Sequence, residues 1–203
     1  MSSCWYASNP SRNAWNIFSK DSQGWLSGGG YDVSSGLGVN EGTVLVDGSK
    51  LKGEWINITF PKEMDFNQIK LQQQPNGGYP LVNELVILGN NDSSLANAPV
   101  WNEAPLTGTP IPGASASTIQ VVNSPWNLIS RISVPVSMVS GATTSPTAPP
   151  VMVPAQSNFG STGTYTFNNN TKYRSYRVLL SKIVPGSGTG VSGSIDYMKF
   201  MKV

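Results

Sequence analysis

The 203-residue chain has no histidine, a single cysteine (Cys4) and eleven acidic residues. Without imidazole, neither a Ser-His-Asp nor a Cys-His pair can form, and a histidine-based metal site is excluded. Cys4 reads as a small buried hydrophobe near the start of a strand. Two carboxylates set across a cleft hydrolyse glycosides. Here the acids are scattered, and the closest, such as Glu63 and Asp65, fall in turn-like, solvated segments. No enzyme is expected. The run GTGVSG (188–193) matches the glycine fingerprint of dinucleotide sites. That fingerprint works where a strand feeds a helix whose N-terminus holds the pyrophosphate. Here YRVLLSKIV is followed by Pro185, and the loop runs into SIDYMKF, so a hairpin loop is the better reading.

Basic residues gather in KYRSYRVLLSK (172–182). In a strand, Arg177 shares a face with Leu179, while Tyr176 lies opposite with Val178 and Leu180. A structural salt bridge is the expected role of Arg177. A formal net charge of +2 lacks the basic excess of a nucleic-acid protein, so no nucleic-acid partner is expected.

These residues need a scaffold, and the sequence describes one. GEWINITFP (53–61) alternates Ile56, Ile58 and Phe60 against Trp55, Asn57 and Thr59, then meets a proline. That is a strand ended by Pro61, buried on one face and wetter on the other. Further strands are expected over Cys4–Ala7, Gly24–Ser27, Glu54–Phe60, Gln68–Gln73, Asn83–Asn90, Ser117–Asn123, Leu128–Val136, Tyr176–Val184 and Ser194–Lys202. Glycine-rich turns such as PNGG (75–78) and PGSGTG (185–190) separate them. Only Arg12–Phe18 has the caps of a short helix. The absence of strand–helix alternation leaves two packed antiparallel sheets as the natural solution.

Charged residues are only 12% of the chain, while six Trp and seven Tyr argue against disorder. One domain over 1–203 is expected. No apolar run reaches the roughly 18 residues that span a bilayer. The opening MSSCWYASNPSRNAW has neither a basic nor an apolar leader region, so no secretory signal is expected. The sequons at Asn57, Asn91 and Asn169 are then chance matches. A lone cysteine excludes an intrachain disulfide, which fits folding inside a cell. Between about 105 and 167 the text turns to Pro, Ser and Thr, including SGATTSPTAPPVMVPAQ (140–156). It reads as an insertion with strand-like pieces and a loose loop, suited to contacting neighbouring protein subunits.

In order, AWNIFSKDSQGWLSGGG (14–30), GEWINITFPKEMDFNQIKLQ (53–72), ELVILGNND (84–92), Trp101, YRSYRVLLSK (173–182) and GSIDYMKF (193–200) resemble the discoidin, or coagulation-factor C-type, domain. These blocks cover about two-thirds of the chain. The resemblance implies an all-β, galactose-binding-like antiparallel β-sandwich of jelly-roll type, with ligand-binding loops at one end. By order along the chain, those loops correspond to Asp21–Tyr31, Asp32–Lys52 and Gln72–Pro80. The site residues so implied are Trp25, Tyr31, Gln74, Asn76 and Tyr79. Aromatic faces stack on sugar C–H groups and side-chain amides fix hydroxyls. Trp25 also matches the family's strand tryptophan, which packs in the core, and both roles stay open.

Many family members hold a structural Ca²⁺ at an F-D-G turn and a glutamate of the last strand. Phe18 fits, but Ser19 and Lys20 replace Asp-Gly and Tyr197 stands where the glutamate would be, with Asp21 and Asp196 nearby. No cofactor is expected, and Ca²⁺ is doubtful. Membrane-binding relatives carry apolar spikes at the loop tips. Here Leu26, Val33 and Leu37 are sparse among glycines, so membrane insertion is not expected. The resemblance therefore implies non-catalytic recognition of a glycan or glycoprotein. The rival is a structural or assembly protein, since similar modules occur in structural proteins of large DNA viruses. A virion location after cytoplasmic folding is expected, with an extracellular one as the alternative.

Overall fold

The computed structural model describes residues 14–18, 24–27, 30–39, 41–73, 80–92, 125–135, 138–140, 152–154, 162–184 and 193–203. In chain order the strands are β1 (Trp25–Leu26), β2 (Glu41–Val44), β3 (Lys50–Lys52), β4 (Glu54–Met64), β5 (Gln68–Gln72) and β6 (Val82–Asn90). They continue with β7 (Asn127–Ser133), β8 (Met138–Ser140), β9 (Met152–Pro154), β10 (Thr162–Thr166), β11 (Tyr173–Ile183), β12 (Ser194–Ile195) and β13 (Tyr197–Met201). Of the helix expected over Arg12–Phe18, the described part, Ala14–Phe18, is a 3-10 turn, and residues 12–13 lie outside the described residues. The expected strands at Cys4–Ala7 and Ser117–Asn123 lie outside the described residues.

Every strand pair among the described residues is antiparallel, as the sequence predicts. One sheet has the order β4-β11-β6-β7 and another β10-β5-β13. Alternation turns Ile56, Leu85, Ile87, Val178 and Leu180 of the first sheet, joined across a register shift by Val82, toward Ile69, Leu71 and Met198 of the second, in one continuous core. This is a β-sandwich, and its fold class is the expected one. Short pairs complete it: β1 with β12, β2 with β3, β8 with β9.

Two expectations change at β4. The strand does not stop at Pro61 but runs to Met64. It is an edge strand, and the register against β11 is irregular between Tyr173 and Ser175. Pro61 falls where the ladder needs no N–H from it. Nor is the Trp55 face wet: Trp55 is only 6% exposed. Residues 41–52 form a hairpin instead of an open loop. Its Leu45 joins Trp55, Val86, Leu88, Trp126 and Leu179 in a second core on the outer side of the four-stranded sheet. Leu45 and Trp126 are bridged, with Trp126 N–H donating to Val44 O at 2.8 Å and Val46 N–H to Trp126 O at 3.0 Å. The hairpin leaves the sheet between Gly38 and Gly53, where a Cβ on Gly38 would sit 2.5 Å from the Gly53 Cα.

Arg177 is the polar centre of that second core, 1% exposed. Its guanidinium carbon lies 3.9 Å from the Trp55 ring centroid and 4.4 Å from that of Trp126. Its Nε donates to Asn57 Oδ1 and an Nη donates to Thr43 Oγ1, both at 2.7 Å. Where the sequence suggested a salt bridge, the groups that grip the guanidinium here are two indoles, an amide and a hydroxyl. Loss of water around the charge pushes its pKa down to about 9, so it stays charged at neutral pH.

The far end of the sandwich is closed by aromatics. Tyr176 packs edge-on against Phe60, Phe66 and Tyr173 and lies 5.5 Å from Phe200. Its hydroxyl donates to Met64 O at 2.6 Å, and Asn169 Nδ2 donates to Phe66 O at 2.8 Å. From the expected 105–167 insertion, β10 is an integral edge strand of the second sheet, because Tyr165 packs on the core.

Replacing Arg177 by Ala removes two charge-assisted hydrogen bonds and both ring contacts, and is expected to destabilise the protein by about 3 kcal/mol in urea unfolding. Arg177→Lys keeps the charge without the planar fork and recovers only part of that loss.

Candidate functional site

The roots of the three expected loops meet at one end of the sandwich, where β11 finishes and β4 and β6 begin. Ser27 N–H donates to Gly193 O at 2.9 Å, and Val39 N–H to Gly30 O at 2.8 Å. Gly38 N–H reaches Ser181 O at 3.0 Å, and Ile183 N–H reaches Gly36 O at 2.9 Å. Val184 N–H donates to Leu81 O and Asp196 N–H to Gln72 O. The end of β11 and the residues flanking β12 thus hold Ser27, segment 30–39, residues 72–73 and Leu81 in one cluster. Of the expected Asp32–Lys52 loop only 32–39 belongs to this end. Residues 41–52 are the hairpin over the outer core, which the sequence reading missed although Asp47-Gly48 between alternating apolar residues is a turn signal.

Two sequence-derived candidates sit beneath this end instead of on it. Trp25 is 0% exposed and pairs in register with Ile195, so its ring fills the core. Tyr31 is 4% exposed, and its hydroxyl donates to Leu180 O at 3.0 Å while accepting from Glu54 N–H at 3.4 Å. Burial, and then the Glu54 charge, push the Tyr31 hydroxyl well above the usual tyrosine range. Both are corrected from ligand contacts to scaffold: neither offers a free ring face, and the Tyr31 oxygen is already committed. Gln74, Asn76 and Tyr79 lie outside the described residues.

The described residues on either side of these three are tied together. Gln73, 4% exposed, clasps Val82 through both ends of its amide: Nε2 donates to Val82 O at 3.0 Å and Oε1 accepts from Val82 N–H at 2.8 Å. Gln73 and Val82 thus form a closed neck between the end of β5 and the start of β6. Beside it, Asp32 organises its own loop. Its Oδ1 accepts from the Ser34 and Ser35 hydroxyls at 2.6 and 2.8 Å and from both backbone N–H groups. The Ser34 hydroxyl above all, then the Ser35 N–H, hold this carboxyl down at about 2. Val33, Leu37 and Val39 of the same loop are at least half exposed. Sequence reading missed Gln73 and Asp32 as organisers, although an Asp followed by two serines is a turn signal.

No group of three or more acidic, Cys or His side chains placed to hold a metal ion occurs among the described residues. Asp21 lies outside them, and Asp196 Oδ2 accepts from Gln72 Nε2 at 3.3 Å. No helix among the described residues is long and apolar enough to cross a membrane. Most of the segment expected to contact neighbouring subunits also falls outside the described residues.

No protein-family profile and no curated protein matches the chain. Among solved structures it is similar to the family 32 carbohydrate-binding module of C. perfringens NanJ in complex with galactose, at 9% identity and TM-score 0.47, over 95% of this chain and 86% of that one. It is similar to chitosan-binding module 1 of a Paenibacillus sp. IK-5 chitosanase/glucanase at 14% identity and TM-score 0.47, over 98% and 89%. It is also similar to the family 32 module of AlyQ in complex with 4,5-unsaturated mannuronic acid, at 10% identity and TM-score 0.43, over 96% and 89%. Superpositions this loose leave function to be argued from the chain's own residues.

Gln73→Ala strips two hydrogen bonds from the buried neck and is expected to cost about 2 kcal/mol in chemical denaturation. In an acid titration followed by NMR, the Ser34 and Ser35 amide signals are expected to hold below the ordinary carboxylate value of 3.8 and to move with a midpoint near pH 2. The sign follows from the lowered carboxyl: its contribution is complete above 3.8 and is lost as pH falls through about 2. Asp32→Asn removes the transition.

Proposed function

We propose that the chain is a non-catalytic glycan-binding module that engages its ligand through the loop end of the sandwich. The observation that carries this reading is the convergence of Ser27, segment 30–39, Gln72, Gln73 and Leu81 on the ends of β11 and β12, with a closed neck between Gln73 and Val82. Binding residues carried on loops above a rigid sheet are positioned without ordering the scaffold anew. Segment 74–79 supplies Gln74, Asn76 and Tyr79, an aromatic face with amide donors and acceptors suited to a pyranose. The exposed Val33, Leu37 and Val39 add apolar surface for its C–H groups.

Tyr79→Ala is expected to lower affinity for a glycan found on an array by at least about tenfold, with thermal stability within a degree or two of wild type. Unchanged affinity in that variant removes Tyr79 from the site. A silent array with wild-type protein overturns the reading as a whole.

A further inference from the structure

The outer face of the three-stranded sheet carries an arrangement that neither folding nor the loop end uses. Registers place Lys70 of β5 directly opposite Lys199 of β13 on one side and opposite Thr164 of β10 on the other. Ile69, Leu71 and Met198 point into the core, so Lys70 and Lys199 share the solvent face. Opposed side chains in such a pair stand about 5 Å apart, and like charges there are destabilising. Neither lysine has a carboxylate partner among the described residues. Edge protection explains a lysine on β13. It does not explain Lys70, which lies on the central strand of the sheet. The neighbouring rows hold Gln72 opposite Tyr197 on one side and Gln68 opposite Met201 on the other. Gln72 leans to Asp196 at the loop end of the face, and Gln68 Nε2 donates to Thr166 Oγ1 at 3.2 Å.

We propose that this face is a second binding surface, separate from the loop end, for a carboxylate-bearing polysaccharide whose acid groups lie against Lys70 and Lys199. The lysine pair supplies the charge complementarity. The amide and hydroxyl rows offer the donors and acceptors that sugar hydroxyls need. Sulfate and phosphate are best gripped by the forked guanidinium of arginine, and no arginine lies on these three strands. A single-stranded nucleic acid needs stacking aromatics along its track, whereas the sole aromatic on this face of the sheet is Tyr197, because Tyr165 and Phe200 pack on the core.

The test is calorimetric titration of the whole protein with polygalacturonate, its fully methyl-esterified form, heparin and single-stranded DNA at low salt. Polygalacturonate is expected to bind and the neutral ester at least about tenfold more weakly. Lys70→Gln with Lys199→Gln should weaken polygalacturonate binding about tenfold, the sum expected for two exposed ion pairs. The arginine pair at the same positions should restore it, and Tyr79→Ala should leave it unchanged. The double glutamine variant should melt no lower than wild type, since a repulsive pair is removed. Equal binding by wild type and the glutamine pair overturns the proposal. So does heparin or DNA binding as tight as polygalacturonate with the same lysine dependence.

Discussion

A guanidinium held between two indoles dictates how the outer half of this molecule is built. Arg177 lies on the central strand of the larger sheet, facing away from the main core, where a single sandwich would leave it in water. Buried there, it requires a roof. Trp126 and the β2–β3 hairpin supply one, and Thr43 and Asn57 satisfy the donors that rings cannot. A buried charge with its donors met and flat faces above and below is tolerable, whereas a partly met one is among the costliest arrangements in a protein. The roof brings a liability of its own: Trp126 Nε1 is buried with no acceptor among the described residues.

The same arrangement sets the geometry of the loop end. Chain entering β2 must first pass over the end of β11, and segment 32–39 is stitched to Ser181 and Ile183 on the way. The loop is thus a by-product of roofing Arg177. At the opposite end, Tyr176 spends the same strand on an aromatic plug tied by hydroxyl and amide bonds. One strand therefore divides the labour: its start seals, its middle carries the buried charge, and its finish anchors the loops.

Much of the sandwich was legible because alternation is a local signal. Ile56, Ile58, Val178 and Leu180 face the core as their spacing predicts. What stayed hidden depends on distant partners. Nothing near Tyr31 announces that its hydroxyl will meet the carbonyl of Leu180, 149 residues away. Pro61 looked like a stop because a proline forfeits a ladder bond, and only the edge position of β4 makes that harmless. Strand β10 hid in a Ser/Thr-rich stretch, where one inward aromatic, Tyr165, was enough to fix it. The loop end was readable as a place through family resemblance. Its two organisers, Gln73 and Asp32, were not, because their work is done on backbone groups that the sequence does not display.

The strand order has a consequence for how the molecule comes into being. β4 and β6 flank a slot that only β11 fills, and β11 follows β6 by more than 80 residues of chain. Until residues 173–183 emerge from the ribosome, Leu85, Val86, Ile87 and Leu88 have no neighbour on that side, and both flanking strands carry open hydrogen-bonding edges. Assembly must wait for a late keystone, so folding is slow and dominated by long-range closure. In that interval the facing edges of β4 and β6 are open to pairing with other strands.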